Sequence, residues 1–325
     1  MRSIQVSRLE GPSALSVEEV AEPDAAALGA ANVLVEVHAV GISFPDLLLS
    51  KGEYQLQPEL PFALGVDFAG VVRASSDDDF SEGDRVACVL PYGGASEMVT
   101  LGTDSVFALP DELSFDQGAA LPMNYLTAHF ALVERGGLRS GETVLVHGAA
   151  GGVGTATIQV AKGYDARVIA VVSTEEKGEV ARRAGADEVV LVDGFREAVK
   201  DLTDGRGVDI VMDVVGGDLV TDSLRSLATQ GRLLVVGFTA GEIPAVKVNR
   251  LLLNNVDVRG VGWGAYAMAR PGYMRRQWDE LVPLMESGVI DPPIGSTYAM
   301  EEFGRALQDM ADRKTLGKSV VSLRR

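Results

Sequence analysis

The stretch Thr143 to Lys162, TVLVHGAAGGVGTATIQVAK, constrains this chain more than any other. Thr143, Val144, Leu145 and Val146 form a short apolar, β-branched run suited to a central parallel strand. Gly148, Gly151, Gly152 and Gly154 follow at once, and then a helix with Ala156, Ile158, Val160 and Ala161 available for packing. Strand, glycine-rich turn and helix is the order by which a polypeptide brings bare backbone up to a pyrophosphate at a helix N-terminus. Ala149, Gly151 and Gly154 fall on the three glycine positions of the dinucleotide fingerprint, so the first is Ala here. Gly151 lets the backbone approach the phosphates, and Gly154 lets the helix pack closely on the sheet. The strand and helix flanks make a dinucleotide site the expectation over a glycine-rich surface loop.

A second strand is expected over Arg167 to Val172, after one helix. An NAD-specific site places an Asp or Glu at its end to grip the ribose 2′-OH. This chain has Ser173 there, with Lys177 four residues on. A neutral hydroxyl with a nearby cation suits a 2′-phosphate, so NADPH is expected over NADH. Glu175 and Glu176 add negative charge close by and work against that preference. Arg182 and Arg183 read equally as cofactor neighbours or as an ordinary solvated helix face.

The chain has 325 residues, enough for two domains. It has no apolar run of membrane-spanning length and no apolar signal core at its N-terminus, so a cytoplasmic protein without a membrane partner is expected. A net charge of −17 disfavours general nucleic-acid binding. The single cysteine, Cys88, lies in an apolar strand-like run and reads as core filler; one cysteine excludes an internal disulfide and a cysteine-rich zinc site. His38, His129 and His147 form no ligand-spaced pair. His38 and His129 read as structural, and His147, ending the strand before the glycine turn, as a residue able to line a cofactor cleft.

Residues 1–120 hold short strands and turn signals, VLVEVHAVGI, GVDFAGVVRA, GDRVACVL and ASEMVTL, an all-β pattern. Residues 121–288 alternate strand and helix through VLVHG, VIAVV, EVVLV, VDIVMDVVGG, GRLLVVGF and VDVRGVGW, the doubly wound parallel pattern. In the remaining segment, 289–325, Phe303, Ala306, Leu307 and Met310 recur at helical spacing and read as core. Asp77, Asp78 and Asp79 read as a solvated turn.

Taken together, the AAGGVG turn, GISFPDLLLSKGEY (41–54), GVDFAGVV (65–72), AALPMNYLTAHFAL (119–132) and the closing DRKTLGK resemble the medium-chain dehydrogenase/reductase superfamily. Within it the chain is similar to the zinc-independent, zeta-crystallin-like quinone oxidoreductase branch. The resemblance covers essentially the whole chain. It implies an α/β protein: a GroES-like β-rich catalytic domain over 1–120 and 289–325, and a Rossmann NADPH-binding domain over 121–288. Zinc alcohol dehydrogenases carry a Cys where this chain has Ser43, a His where it has Val66, and a second metal-binding Cys near Met123. With those ligands missing, no zinc is expected, and alcohol oxidation lacks its Lewis acid. Hydride delivery to an electrophilic acceptor remains, either a quinone or a carbon–carbon double bond conjugated to a carbonyl.

The resemblance also assigns residues. Tyr54 matches the tyrosine of related quinone and enoyl reductases, and reads either as a hydrogen-bond or proton donor or as an aromatic wall. Ser43 reads either as a hydrogen-bond partner of the acceptor or nicotinamide ribose, or as a turn cap before Pro45. Asp46 matches a family acid but reads first as a helix cap. Asn124 and Thr127 are expected at the nicotinamide, although Thr127 can equally cap a turn. Cofactor contacts carry over to Ala150, Gly151, Gly152, Val153, Ser173, Lys177, Phe238, Trp263 and Arg313. Some relatives place a tyrosine on the 2′-phosphate where this chain has Val192, which weakens the NADPH preference. Trp263 and Tyr266 shape the acceptor pocket or a subunit interface. A homodimer is expected through the edge strand Val256 to Val261. The expected activity is NADPH-dependent reduction of quinones or conjugated enones. The alternatives are an enoyl-thioester reductase and a non-catalytic NADPH-binding protein.

Overall fold

The computed structural model of the chain describes residues 1–324. The first part holds β1 (Arg2–Val6), β2 (Leu15–Glu19), β3 (Asn32–Gly41), α1 (Phe44–Lys51), β4 (Phe62–Ala63), β5 (Asp67–Ser75), β6 (Arg85–Val89), β7 (Met98–Gly102), β8 (Val106–Ala108) and α2 (Phe115–Gly118). After α3 (Pro122–His129) come β9 (Thr143–His147), α4 (Gly152–Gly163), β10 (Arg167–Val172), α5 (Glu175–Arg183), β11 (Glu188–Leu191), α6 (Phe195–Leu202), β12 (Val208–Asp213), α7 (Leu219–Ser226), β13 (Leu227–Val235), α8 (Asn249–Asn254), β14 (Asp257–Gly260) and α9 (Trp263–Ala267). The chain closes with α10 (Tyr273–Glu286), β15 (Ile294–Ala299), α11 (Phe303–Ala311) and β16 (Lys318–Ser322).

The fold has two compact units. The first takes Met1–Met123, Pro271–Val282 and the C-terminal segment from Ile294. Its main sheet runs β15-β16-β3-β5-β6-β8, with β7 also on β3; a smaller sheet runs β2-β1-β4. β3 is central because Val33, Leu34, Val35 and Val37 are all buried, so neighbours are needed on both of its edges and faces. The C-terminal β16 pairs antiparallel with it, Val320 opposite Gly41. Cys88 is buried on β6, where burial pushes its thiol well above the usual range and leaves it an inert packing group.

The second unit takes Asn124–Arg270 and Pro283–Pro293. Its sheet runs β11-β10-β9-β12-β13-β14 and every pairing in it is parallel. The strand order therefore reverses between β9 and β12, the doubly wound arrangement. One face packs Leu145, Ile169, Val211 and Leu233 against Phe195 and Val199 of α6 and Val220 and Leu224 of α7.

The units divide differently from the boundaries at 120 and 288 read from the sequence. Pro271–Val282 goes with the first unit because Trp278 of α10 stacks on Phe107, centroids 4.8 Å apart, and donates to the Ala108 carbonyl at 3.0 Å. Residues 283–293 go with the second, where Asp291 exchanges two hydrogen bonds with the Gln159 side chain on α4. Pro283, inside α10, marks the division, and proline interrupts helical hydrogen bonding. Among the described residues no helix is long and apolar enough to cross a membrane.

Candidate functional site

In the second unit the expected dinucleotide turn lies between β9 and α4. Gly151 is the N-cap of α4, in extended conformation (φ −88°, ψ 174°), with no side-chain cap and no acidic residue in the first turn. The helix thus presents its positive end and backbone N–H groups, which suits a phosphate. Gly154 is needed for close packing: a Cβ there would lie 2.2 Å from the Gly148 carbonyl oxygen and 2.7 Å from the Ala149 Cα. At Gly151 the nearest atom would be 3.4 Å away, an ordinary contact. The two glycines therefore separate by experiment. Gly154→Ala should cost stability, about 1–3 kcal/mol, because backbone cannot yield to the new methyl. Gly151→Ala should unfold like wild type yet bind NADPH about tenfold or more weakly, a loss of ~1.4 kcal/mol. Thermal unfolding and fluorescence titration read the two effects; wild-type affinity in Gly151→Ala would remove that backbone from the phosphate site.

The other candidates of this unit fall around the same end of the sheet or on its helices. Asn124 is buried on α3, its Nδ2 2.7 Å from where a Cβ on Gly152 would stand. Thr127 is buried one turn on, Ala150 is buried in the turn, and Val153 is half-buried on α4. Ser173 is exposed just past β10, and Lys177 lies in the first turn of α5, its N–H on the Thr174 hydroxyl. Arg182 pairs with Glu175 at 2.7 Å and Glu179 at 2.5 Å, an ordinary solvated helix face. Phe238 follows β13 and lies over Gly216. Trp263 is buried at the start of α9, and Tyr266 packs on Phe130, centroids 5.0 Å apart. Tyr54, Ser43 and Arg313 belong instead to the first unit; Arg313 is exposed, with a positive φ of 59°.

In the first unit a buried polar network centres on Asp67, the first residue of β5. Its Oδ2 accepts from the Ser43 hydroxyl at 2.8 Å and from Lys318 Nζ at 2.9 Å; its Oδ1 accepts from the Met123 N–H at 2.7 Å. Lys318 also donates to Ser43 Oγ at 2.8 Å. Asp67 is 0% and the Lys318 side chain 5% exposed. Of the positions where the resemblance implies that zinc ligands are missing, Ser43 through its hydroxyl and Met123 through its N–H thus meet one carboxylate, and Val66 directly precedes that carboxylate in the chain. The Ser43 proton is committed to Asp67 and one lone pair to Lys318, leaving one acceptor site. Its side chain makes no cap bond to α1.

Asp46 supplies that cap from the other direction. Its Oδ2 accepts the Ser43 N–H at 3.1 Å and its Oδ1 the Gly65 N–H at 3.0 Å. Burial pushes its pKa up to about 7, against those two N–H groups; Asp67 adds to the rise and Lys318 opposes it. Tyr54 follows α1 and is half-buried; burial, then the charge of Asp46, holds its phenol above the usual value. The phenol keeps its proton at neutral pH and remains a donor.

Of the histidines, His38 packs against Phe115 with the rings tilted, centroids 4.4 Å apart, and His129 contacts the Tyr164 hydroxyl at 3.1 Å. His147 is fully buried on the Ser223 hydroxyl. Asp67 and Lys318 are the site residues that sequence reasoning missed. The available signal was a lone carboxylate inside the apolar run GVDFAGVV and a lone lysine heading the apolar KSVVSL.

Two family models match the chain, one described as alcohol dehydrogenase GroES-like domain over residues 29–111, the other as zinc-binding dehydrogenase over residues 152–287. The chain is 39% identical over 298 residues to quinone oxidoreductase-like protein 2 of Bos taurus, covering 90% of this chain and 85% of the relative. It is 35% identical over 328 residues to the quinone oxidoreductase of Pseudomonas aeruginosa, covering 98% and 99%. A mycobacterial protein solved in complex with NADPH superposes with a TM-score of 0.89 at 32% identity, over 99% of both chains.

Proposed function

Because the chain belongs to the quinone oxidoreductase branch of the medium-chain dehydrogenase/reductase superfamily, we propose that it is a zinc-independent, NADPH-dependent reductase of quinones or α,β-unsaturated carbonyls. The observation that carries the zinc-free reading is the Ser43–Asp67–Lys318 network. The residues there do not fit zinc, which takes thiolate, imidazole or carboxylate ligands in a tetrahedron. A valine side chain offers no donor, and an ammonium hydrogen-bonded to both the hydroxyl and the carboxylate repels a second cation. Such a site has no Lewis acid for alkoxide chemistry and favours an acceptor that is already electrophilic.

The cofactor reading rests on the uncapped α4 N-terminus, the Gly154 approach and a Ser rather than an acid after β10. Bound NADPH supplies the hydride. The chain's own residues bind and orient. The α4 N–H groups hold the pyrophosphate. Ser43, with only an acceptor site left, suits a ribose hydroxyl and cannot donate to a carbonyl. Tyr54, protonated across the physiological range, donates a hydrogen bond to the oxygen that gains charge.

The test is NADPH consumption by chelator-treated protein against quinones, simple enones and enoyl-CoA thioesters, with NADH in parallel. Turnover with quinones or enones is expected. Activity confined to thioesters would replace the reading with an enoyl-thioester reductase, and binding without turnover would replace it with a non-catalytic NADPH-binding protein. Tyr54→Phe should lower kcat about 10²-fold or more, the scale of a lost transition-state donor, with NADPH affinity unchanged; full turnover would leave Tyr54 a wall residue. Lys177→Ala should reduce the NADPH-to-NADH affinity ratio about tenfold, and an unchanged ratio would remove Lys177 from the site.

A homodimer is part of the same reading. β14 is the open edge of the parallel sheet, and α8 buries none of its residues, leaving Leu252 and Leu253 76% and 74% exposed. Such an edge and patch call for covering. Sedimentation at micromolar concentration should give twice the chain mass.

A further inference from the structure

The reversal of strand order in the second unit falls between β9 and β12, whose last residues are His147 and Asp213. The parallel register pairs Leu145 with Val211 and Val146 with Met212. One step further brings His147 and Asp213 level with each other. Because strand side chains alternate, both share the face on which Leu145 and Val211 enter the apolar cluster. Both residues are buried, and the His147 ring stands edge-on to Phe195, centroids 5.0 Å apart.

Following each proton shows what this end of the cluster needs. Ser223 Oγ donates to the Leu219 carbonyl at 2.8 Å, so toward His147 it accepts. Its contact with His147 Nε2, also 2.8 Å, is therefore an N–H donation from the ring. Burial lowers the His147 pKa to about 4, with Asp213 opposing, so the ring is neutral near pH 7. With its one proton on Nε2, Nδ1 is a bare lone pair. Asp213 Oδ1 accepts the N–H groups of Val215 and Gly216 at 2.8 and 2.9 Å. His147 Nδ1 and Asp213 Oδ2 are both fully buried and without a hydrogen-bond partner among the described residues. Two acceptors cannot satisfy one another, and the large majority of buried side-chain acceptors in folded proteins have a partner, protein or water.

One neutral molecule with two O–H donors meets both needs at once. We propose that the ends of β9 and β12 frame a buried site for a single water molecule, which donates one hydrogen bond to His147 Nδ1 and the other to Asp213 Oδ2. Buried waters occupy such polar corners of otherwise apolar cores. The site lies where the two halves of the doubly wound sheet meet, at the root of both glycine turns, Gly148–Gly152 and Gly216–Gly217. The water joins the halves by a polar link that neither side chain makes alone. The proposal does not depend on the cofactor reading, since it concerns the free protein.

The test is a crystal structure of the full chain at atomic resolution, free and with NADPH. One peak within hydrogen-bond distance of both Nδ1 and Oδ2, in both forms, is expected. A donor found there only in the complex, and belonging to the cofactor, overturns the water as its source. Direct contact of Nδ1 with Oδ2, or a metal ion at the position, overturns the site. His147→Phe should lose the peak; its persistence would mean that other groups hold it. Should that variant fail to fold, 15N NMR of wild-type His147 gives the same decision. An unprotonated, hydrogen-bonded Nδ1 is expected, and a protonated Nδ1 sinks the proposal.

Discussion

Replacing Lys318 by Met is expected to cost the first unit about 3–5 kcal/mol, the scale for stranding one partner of a buried ion pair. Asp67 is fully buried and Lys318 nearly so. With the ammonium gone, Asp67 keeps, among the described residues, the Ser43 hydroxyl and the Met123 N–H as donors. Those bonds ease the isolated carboxylate without neutralising it. The double variant Lys318→Met, Asp67→Asn should recover most of the loss. It removes both charges, and an amide can still accept from Met123 while donating to Ser43. The chain has two tryptophans, Trp263 and Trp278, and only Trp278 belongs to the first unit. Urea unfolding followed by Trp278 fluorescence in a Trp263→Phe background therefore reads that unit. A loss below ~1 kcal/mol, the range of exposed pairs, would mean that the pair is solvated and that the metal position is not filled by a fixed cation. The loss should also leave NADPH affinity in the refolded variant measurable, since the cradle on α4 belongs to the other unit.

The same pair marks the limit of sequence reasoning. The inner strands β9, β10 and β12 of the doubly wound sheet could be read directly, because each is a largely apolar run whose burial on both faces writes itself into adjacent residues. The edge strands β11 and β14, which bury no residue, were legible from their place in the strand–helix alternation. Gly151 and Gly154 were legible for a similar reason: the turn and the close approach are local. Asp67 and Lys318 lie 251 residues apart, and nothing local to either says that a partner exists. The resemblance supplied the three positions from which metal ligands are missing, but not what stands in their place. Ser43 shows the consequence: its residue type left two roles open, and only the Asp67 and Lys318 contacts fix which proton and lone pairs are in use. The reach of α10 was hidden likewise, since its amphipathic pattern does not say that Trp278 finds Phe107. Short β4 and β8, of two and three residues, carry too few residues for a period to stand out.

Raising the pH from about 5 to 6.5 should move the two units in opposite directions, the first losing stability and the second gaining it; ordinary carboxylates are already ionised across that window. The first effect comes from Asp46, whose pKa burial raises from 3.8 to about 7. A raised carboxyl binds its proton more tightly folded than unfolded. Its contribution is whole below the unfolded value and is lost as pH climbs through the folded one. The full span is worth about 4 kcal/mol at 1.36 kcal/mol per unit. The second effect comes from His147, lowered from 6.5 to about 4 by burial. A lowered imidazole binds its proton less tightly folded than unfolded. Its contribution is whole above the unfolded value and is lost as pH falls toward 4, about 3 kcal/mol over the span. Asp46 lies in the first unit and His147 in the second, so Trp278 and Trp263 as single tryptophans report them separately. Asp46→Asn should remove the fall from the first profile, leaving the rise contributed by His38, whose pKa burial lowers in the same unit. It should also lower stability at pH 5, where wild-type Asp46 is still neutral, because an amide cannot accept from both Ser43 and Gly65. His147→Phe should flatten the second. Two profiles that rise together would mean that Asp46 ionises in the ordinary carboxylate range, its two backbone N–H donors outweighing its burial.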